Sequence, residues 1–345
     1  APATASPSTG INWNPFAPET PDMLTKAQID AFNETGVLVV PDVLPPAVLT
    51  AVRAEYQALL DGLYADWHAQ GLVPAADGLD FFDMLLVSYK AGLDWFQPMD
   101  ISLPGDQITR DTPFHFGPAV FDMITCRRLL DMVEDLIGPE ITSNPIQHVR
   151  LKPPLPDLRA GEIRAHIGGT DWHQDKAVAH EDGDNTRMVT VWLAITDATV
   201  ENGCLQVIPG KPQMYPHCPK TQTGIADGFI DPATATPLPV KAGGAVLFHP
   251  LTPHASLDNL SEQFRWSFDI RFNVTGQPTG RAHSSGSCSG RQRISCSNST
   301  SGAIRARQSP KPFLKAARMP LTFQVVIRMN PPAATGLKSG DLDGP

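Results

Sequence analysis

Residues 188–198, with the sequence Met-Val-Thr-Val-Trp-Leu-Ala-Ile-Thr-Asp-Ala, carry the clearest β-strand pattern in the chain. The apolar residues Val189, Val191, Leu193 and Ile195 recur at every second position. In an extended chain, residues two apart lie on the same face. The pattern therefore predicts a strand that buries this face in a core.

The same period of two returns in short runs on both sides of this strand. Further strands are predicted at 37–40, 146–152, 204–208, 245–248 and 264–272. Helical patterns come earlier: Thr25 is predicted to cap a short helix through Phe32, and Gly36 to end it. Amphipathic helices are predicted over 49–63 and 126–137. Helices first and many short strands after predict a mainly β fold with flanking helices, a sandwich or barrel rather than a parallel doubly wound sheet.

The composition excludes several classes of protein. Of 345 residues, 41% are hydrophobic and 18% charged, so a sizeable core can be buried and global disorder is excluded. No run of about 18 apolar residues is present, so neither a membrane span nor a membrane partner is expected. The N-terminus shows no secretory leader pattern. Five unclustered cysteines fit a reducing compartment, and a cytoplasmic location is expected.

The net charge of −9 hides an asymmetry along the chain. Between Ile270 and Gly340 there are eleven Lys and Arg residues and no Asp or Glu. The rest of the chain is strongly acidic, which argues against nucleic acid as a partner. We expect an extended lead-in at 1–22, one folded domain at 23–282 and a Ser- and Arg-rich tail at 283–345. The tail is interpreted as a disordered basic extension, an arm for an anionic surface or the product of a shifted reading frame.

A candidate metal site begins at Trp172-His173-Gln174-Asp175. In an extended segment His173 and Asp175 point to one face. This suits a 2-His-1-carboxylate site, which leaves three positions on iron open. Taken alone, the triplet is better explained by a polar loop that hydrogen-bonds to itself, because about one His-x-Asp is expected by chance in such a chain.

A third ligand and a cation follow downstream. His254 is followed by Ala255 and Ser256, and Arg265 lies eleven residues after His254. A keto-dicarboxylate cosubstrate requires both groups, since its keto acid end binds the metal and its far carboxylate suits a fork-shaped cation. His249, at the end of a predicted strand, is the rival third ligand. Taken alone, Arg265 is better explained as a solvent-facing strand charge.

With these motifs in this order, the sequence resembles the phytanoyl-CoA dioxygenase family of iron(II)/2-oxoglutarate-dependent oxygenases. The similarity runs from about Leu24 to Arg271. It rests on the segment 27–40, the His173-Gln174-Asp175 triplet, Trp192, Glu201–Gly210, His254-Ala255-Ser256 with Asn259, and Arg265. The sequence departs from the family pattern at Lys211-Pro212-Gln213, where a Ser-His pair usually follows Pro-Gly, and again after about Ala282.

The resemblance implies a double-stranded β-helix, a jelly-roll or cupin-like barrel, at residues 23–282. It implies Fe(II), 2-oxoglutarate as cosubstrate, and O2. By the same resemblance, the catalytic iron ligands are His173, Asp175 and His254. Arg265 and Ser256 are expected to hold the distal carboxylate of the cosubstrate. Further contacts with the cosubstrate or the ligand set are expected from Trp192, Gln174, Lys152 and His148.

The implied reaction is hydroxylation of an unactivated C–H bond of a small organic molecule, with release of succinate and CO2. Asp175 favours oxygenation over halogenation, while desaturation, epimerisation and ring formation stay open. The alternatives are a metal-binding barrel without turnover and a different metal-dependent enzyme, neither of which needs the carboxylate clamp. The substrate is not readable from the sequence. Candidate pocket walls, equally well explained as core under a lid, are Tyr89, Trp95, Phe96, Phe114, His115 and Phe116. Surface or loop positions are expected for His166, His180 and His217.

Overall fold

Two facing antiparallel sheets form the body of the protein in a computed structural model. The structure describes residues 23–93, 95–104, 108–162, 164, 166–179, 181–219, 223–281, 293–295 and 325–328. The predicted lead-in at 1–22 and most of the tail at 283–345 lie outside these residues, so those two predictions stay predictions. Within the described residues no helix is both long enough and apolar enough to cross a membrane.

The larger sheet holds seven strands among the described residues. In spatial order they are β1 (Val37–Val40), β9 (Ala245–Phe248), β4 (Met188–Ala194), β11 (Arg265–Val274), β2 (Glu140–Lys152), β13 (Val325–Arg328) and β12 (Arg293–Ser295). Neighbours are antiparallel except β12 and β13, which are parallel. The second sheet has the order β3 (Thr170–His173), β10 (His254–Ser256), β5 (Leu205–Val207) and β8 (Thr236–Leu238). A separate hairpin pairs β6 (His217–Pro219) with β7 (Thr223–Ile225).

Helices cover the outer face of the larger sheet. They are α1 (Lys26–Thr35), α2 (Pro46–Ala69), α3 (Phe81–Lys90), α4 (Phe96–Met99), α5 (Pro118–Ile124) and α6 (Arg127–Ile137). Short 3-10 turns lie at Leu155–Asp157, Asp175–Val178, Glu181–Gly183 and Pro232–Thr234. The prediction of a mainly β, double-stranded β-helix fold with flanking helices is confirmed.

Strand β11 contributes its outer face to the apolar core and its inner face to a polar cavity. Trp266, Phe268, Ile270 and Phe272 lie on its outer face, where they join the core formed with the helices. Each such burial contributes about 1.5–3 kcal/mol. The alternate residues, beginning at Arg265, turn to the inner face. The outer residues of the 188–198 segment join the same core, so the face predicted for that strand is confirmed.

The turn between α1 and β1 is hydrogen-bonded to the loop that leads into β10 of the second sheet. Thr25 caps α1 through a capping box with Gln28. Gly36 ends the helix with φ of 75°, a left-handed conformation that favours glycine. The Gly36 carbonyl accepts hydrogen bonds from His249 N and Thr252 Oγ1. The sequence around Gly36 thus fixes the chain a few residues before His254.

Candidate metal centre

Two histidines meet because their strands pair. His173 is the last residue of β3 and His254 is the first of β10, and the two are direct partners across the antiparallel pair. Residues directly opposite on neighbouring strands point their side chains to one face. The two imidazole centroids lie 4.1 Å apart.

Hydrogen bonds fix the orientation of both rings. His173 Nδ1 lies 2.8 Å from the Asp171 carbonyl oxygen, and His254 Nδ1 lies 3.0 Å from the Thr252 carbonyl oxygen. A carbonyl only accepts, so each Nδ1 is the donor and carries the proton. Each Nε2 therefore keeps a free lone pair, as a metal-binding histidine requires.

Asp175 brings a carboxylate to the two free nitrogens. It begins a 3-10 turn directly after β3, and its side chain is fully buried. Asp175 Oδ1 lies 3.9 Å from His173 Nε2 and 3.8 Å from His254 Nε2. Taken together, one donor atom from each of the three residues lies within 4.8 Å of the others. Two imidazoles and one carboxylate are a donor set suited to ferrous iron, and the residues present therefore fit that ion.

Two further side chains hold Asp175. Thr190 Oγ1 donates to its Oδ2 over 2.5 Å, and Arg271 Nη2 donates to its Oδ1. Burial by itself would raise the pKa of Asp175, but Arg271 and the two histidines outweigh it, so that the pKa falls below its usual range. The carboxylate is therefore ionised, which is the form that binds a metal.

The ring of His173 is neutral at ordinary pH. Burial, followed by the neighbouring ring of His254, lowers the pKa of His173 to about 3. Because only neutral imidazole offers a lone pair, this shift prepares the residue for a metal.

Arg265 is the cation that the sequence predicts for the carboxylate of a cosubstrate. It is buried, and Nη1 donates to Ser267 Oγ over 2.8 Å. Its guanidinium lies 5.2 Å from the Trp192 ring centroid, a cation–π distance. Nε is buried without a hydrogen-bond partner. Burial lowers the pKa of Arg265 to about 10, so it stays charged at neutral pH and can receive an anion.

Ser256 offers a donor beside this cation. Its Oγ accepts from Lys152 Nζ over 2.9 Å and from Thr170 N over 3.0 Å. With two donors already bound to Oγ, the hydroxyl proton is available for another acceptor. Lys152 also donates to the Leu257 carbonyl over 2.6 Å. Burial, followed by the charge of Arg265, lowers the pKa of Lys152 well below its usual value.

One cavity joins the metal-binding candidates with Ser256 and Arg265. It is lined by the two histidines and Asp175, by Ser256, Arg265 and Trp192, and by residues that the sequence did not single out, namely Arg150, Thr170, Thr190, Leu205, Phe248, Ala255, Asp269 and Arg271. Six of the predicted site residues therefore lie together.

Gln174 and His148, by contrast, are engaged elsewhere. Gln174 Nε2 donates to the Gln213 and Leu251 carbonyls, and Oε1 accepts from Tyr215 N. This amide ties two loops together behind the site. His148 Nδ1 lies 2.8 Å from Asp100 Oδ2. Neither residue lines the cavity with the metal group, so direct contacts from them stay predictions.

The rival histidine faces another way. His249 Nδ1 accepts from Leu251 N over 3.1 Å, and among the described residues the group able to hold a metal includes His254 and not His249. None of the side chains suggested as pocket walls lines the cavity that contains the metal group. Tyr89 and Trp95 are almost fully buried in the core, and His115 Nε2 pairs with Glu55 over 2.8 Å.

The sequence did not predict the surroundings of His166. This residue lies in a turn, as expected, but its ring stacks on Phe96 with centroids 3.3 Å apart. Its Nε2 is buried. His217 Nε2 accepts from Gln174 N over 3.3 Å, and His180 lies outside the described residues.

The remaining charged groups of the cavity share one face of the larger sheet. Arg265, Asp269 and Arg271 alternate along β11, and Arg150 on β2 donates from Nε to Asp269 Oδ2 over 2.6 Å. The period-two pattern of the predicted strand 264–272 was the signal that could have found them, since it places residues 265, 267, 269 and 271 on one face.

Comparison with known proteins gives a family match. A family model described as "Phytanoyl-CoA dioxygenase (PhyH)" matches residues 32–267, more than half of the chain. "Phytanoyl-CoA dioxygenase domain-containing protein 1" of Danio rerio is 24% identical over 71% of this chain and 88% of its own length. "Phytanoyl-CoA dioxygenase, peroxisomal" of Homo sapiens is 25% identical over 73% of this chain and 69% of its own length. A solved structure of a non-heme alpha ketoglutarate dependent epimerase from nogalamycin biosynthesis is 20% identical, with a TM-score of 0.48 over 74% of this chain and 87% of that one.

Proposed function

The chain belongs to the phytanoyl-CoA dioxygenase family of iron(II)- and 2-oxoglutarate-dependent oxygenases, and on that premise we propose that it hydroxylates an unactivated C–H bond of a small organic molecule. The reaction would convert 2-oxoglutarate and O2 to succinate and CO2. The observation that carries the proposal is one cavity that holds both a His-Asp-His donor group and a buried arginine.

In this proposal His173, Asp175 and His254 are the iron ligands. Their donor atoms converge, both imidazoles are oriented by backbone carbonyls, and the carboxylate is kept ionised by Arg271. A facial set of three protein ligands leaves positions for a chelating keto acid and for O2. The presence of Asp175 favours oxygenation, because a small residue there would leave a position open for halide.

Arg265 and Ser256 would hold the distal carboxylate of 2-oxoglutarate. Arg265 offers a fixed cation with an unpaired Nε, and Ser256 offers a hydroxyl whose oxygen already accepts twice. Lys152 would act mainly through Ser256, which it contacts directly. Trp192 would form the wall beside the cosubstrate and keep the Arg265 guanidinium in place.

Two other predicted residues would act indirectly. Gln174 stabilises the loops at 213–215 and 251, and so positions the two ligands that flank it in sequence. His148 would fix Asp100 at the cavity side of β2.

When bound, iron would activate O2 for oxidation of the C–H bond, with 2-oxoglutarate supplying two electrons as it is converted to succinate and CO2. The protein's own contribution is placement and exclusion of water. The apolar walls Leu205 and Phe248 line the same cavity as the ligands, and apolar walls beside a reactive centre help to exclude water.

The location and the substrate class are further parts of the proposal. We place the protein in the cytoplasm, since Cys126 and Cys204 are free thiols in the described chain, as in a reducing compartment. The substrate is a small molecule, in line with a cavity that combines apolar walls with a few converging polar groups.

The test is turnover of 2-oxoglutarate by the full-length chain. Protein loaded anaerobically with Fe(II) is mixed with 2-oxoglutarate and exposed to isotopically labelled O2, with small-molecule libraries added in pools. We expect slow succinate release without substrate, faster release with one pool, and one labelled oxygen atom in the product. Succinate release coupled to a product that gained no oxygen would exclude hydroxylation, and no release from well-folded, iron-loaded protein would exclude the oxygenase.

A further inference from the structure

Two of the arginines that line the cavity come from neighbouring strands, Arg265 from β11 and Arg150 from β2. Arg265 leans towards Trp192, whose strand β4 pairs with one edge of β11. Arg150 comes from β2, which pairs with the other edge. Both side chains line the cavity that contains the metal group. Of the three arginines that line the cavity, the proposed function uses Arg265 and Arg271 and leaves Arg150 without a role.

Arg150 is held by its inner nitrogen and leaves its outer ones unengaged. Nε donates to Asp269 Oδ2 over 2.6 Å, and among the described residues this is the only hydrogen bond of the Arg150 side chain. The side chain is 14% exposed. Because a guanidinium has two further nitrogens with N–H groups in a fixed fork, the geometry suits a planar anion with two oxygens.

A buried, unpartnered polar atom lies on the same side. His166 Nε2 is buried without a hydrogen-bond partner. Burial, followed by the charges of Arg150 and His148, lowers the pKa of His166 to about 2, so the ring is neutral. Phe96 stacks on this ring and also lies 6.5 Å from the ring of His148. His166 and Phe96 therefore lie near Arg150 and His148 of β2, although only Arg150 of these four residues lines the cavity.

The charges that line the cavity leave room for one more anion. Arg150, Arg265 and Arg271 are opposed by Asp175 and Asp269, a net charge of one positive. A divalent ion and a doubly negative keto-dicarboxylate add nothing to this sum. The lining residues alone therefore carry one positive charge, in a chain whose overall charge is −9, and this favours an anionic ligand.

We propose that Arg150, oriented by Asp269, binds a carboxylate of the primary substrate. The inference rests on the proposed function, which assigns the distal carboxylate of the cosubstrate to Arg265 and its keto acid end to the metal. No anionic group of the cosubstrate is then left for Arg150. The substrate class is accordingly a small monocarboxylic acid, with its reacting C–H bond towards the metal ligands.

The experiment uses the full-length chain with Fe(II) and saturating 2-oxoglutarate in the absence of O2. The probes are aliphatic and aromatic monocarboxylic acids, each paired with its primary amide, which has nearly the same shape and no charge. Two signals are followed: the visible charge-transfer band of the iron chelate, and the melting temperature of the protein, which rises with any ligand that binds the folded state. The second signal does not depend on the band.

Arg150→Met removes the charge, Arg150→Lys keeps an ion pair with Asp269, and exposed Arg110→Met is the matched control. In the wild-type chain we expect some acids to bind and their amides to bind at least about tenfold more weakly. Arg150→Met should remove this difference between acids and amides. The concentration of 2-oxoglutarate that gives half-saturation should stay within about twofold of the wild-type value. Arg150→Lys should keep the preference for acids at lower affinity, and Arg110→Met should match wild type.

Three results would overturn the inference. Acids and amides could bind the wild-type chain equally, or no acid could bind it. Alternatively, Arg150→Met could weaken 2-oxoglutarate and leave the acids unaffected, which would assign Arg150 to the cosubstrate. Loss of the charge-transfer band in wild type, with a preference for acids still visible in the melting temperature, would instead contradict the proposed function alone.

Discussion

Arg271 donates a hydrogen bond to Oδ1 of Asp175. This is the same oxygen that lies 3.9 Å and 3.8 Å from the Nε2 atoms of the two histidines. A buried cation thus stands beside the carboxylate of the candidate metal site and balances its charge when no ion is bound. Arg271 is fixed in turn by a 2.7 Å hydrogen bond from Nη1 to the Ile146 carbonyl.

Replacement of Arg271 by Met should destabilise the metal-free protein more than the iron-loaded one. Removing one partner of a buried ion pair costs about 3–5 kcal/mol, but a bound divalent ion supplies positive charge to the same carboxylate. We expect the melting temperature of the metal-free variant to fall by several degrees and iron to restore most of the loss. Calorimetry with and without Fe(II) under anaerobic conditions measures both. Exposed Arg187→Met is the control, and an equal loss in both forms would contradict a role for Arg271 beside the metal.

The choice between His254 and His249 can be tested by stoichiometry. His254→Ala should abolish Fe(II) binding, because only His173 and Asp175 would remain as ligands. His249→Ala should bind one Fe(II) per chain, because its Nδ1 accepts from Leu251 N and the ring stands outside the donor group. Iron is counted after anaerobic loading and desalting. Retention of iron by His254→Ala together with its loss in His249→Ala would reverse the assignment.

Arg265→Met should affect the cosubstrate and leave the metal. Loss of a charge-assisted, two-pronged contact is expected to weaken 2-oxoglutarate binding about 10- to 100-fold. The iron content should stay at the wild-type level, since Arg265 contacts Ser267 and Trp192 and none of the three metal-binding candidates. Anaerobic titration of the iron-loaded variant measures the affinity. A change below about twofold would remove Arg265 from the clamp.

Much of this arrangement follows from the two-residue period of an extended chain, and Gln174 is an example. In an extended chain His173 and Asp175 share a face while the residue between them points away. Gln174 does so, and its amide serves two loops instead of the cavity. The same rule placed Arg265, Asp269 and Arg271 on one face of β11.

The sequence could not predict hydrogen-bond partners that come from elements distant in the chain. The bond between Arg271 and Asp175 depends on where the 3-10 turn after β3 falls against the larger sheet. His148 lies on the same face of β2 as Lys152, yet Asp100 from the loop after α4 pairs with it. Such contacts depend on strand register and loop packing, which local pattern does not encode.

Stability should fall as the pH is lowered from about 6.5 to 4. The pKa of His173 is lowered to about 3 and that of His166 to about 2, both chiefly by burial. Within this window the unfolded chain, whose histidines titrate near 6.5, binds more protons than the folded one, so acid favours unfolding. At about 1.4 kcal/mol per pKa unit, the loss is on the order of 3 kcal/mol per histidine by pH 4. The lowered pKa of Asp175 acts only below about pH 4.

Chemical denaturation of the metal-free protein at several pH values measures this dependence. His166→Gln should make it shallower, and exposed His68→Gln should not. A free energy of unfolding that is constant between pH 6.5 and 4 would contradict neutral, buried histidines.

Ending the chain after Arg281 should not lower iron binding. In the described residues beyond that point, β13 pairs with residues 140–143 of β2. The opposite end of that strand, at Lys152, is the end that reaches the cavity cation Arg265. Nine residues of strand, about 30 Å, separate the two ends. Iron per chain in the shortened and full-length proteins is the measurement, and a clear loss on shortening would show that the tail supports the site.

The central claim is that three convergent side chains and a separate buried arginine bind one iron(II)–2-oxoglutarate chelate. The most direct measurement is the visible spectrum of the full-length chain after anaerobic addition of Fe(II) and then 2-oxoglutarate, with Asp175→Ala in parallel. We predict a weak charge-transfer band that saturates at one 2-oxoglutarate per chain in the wild type and is absent in the variant. A folded wild-type chain without the band, or a variant that keeps it, would contradict the account.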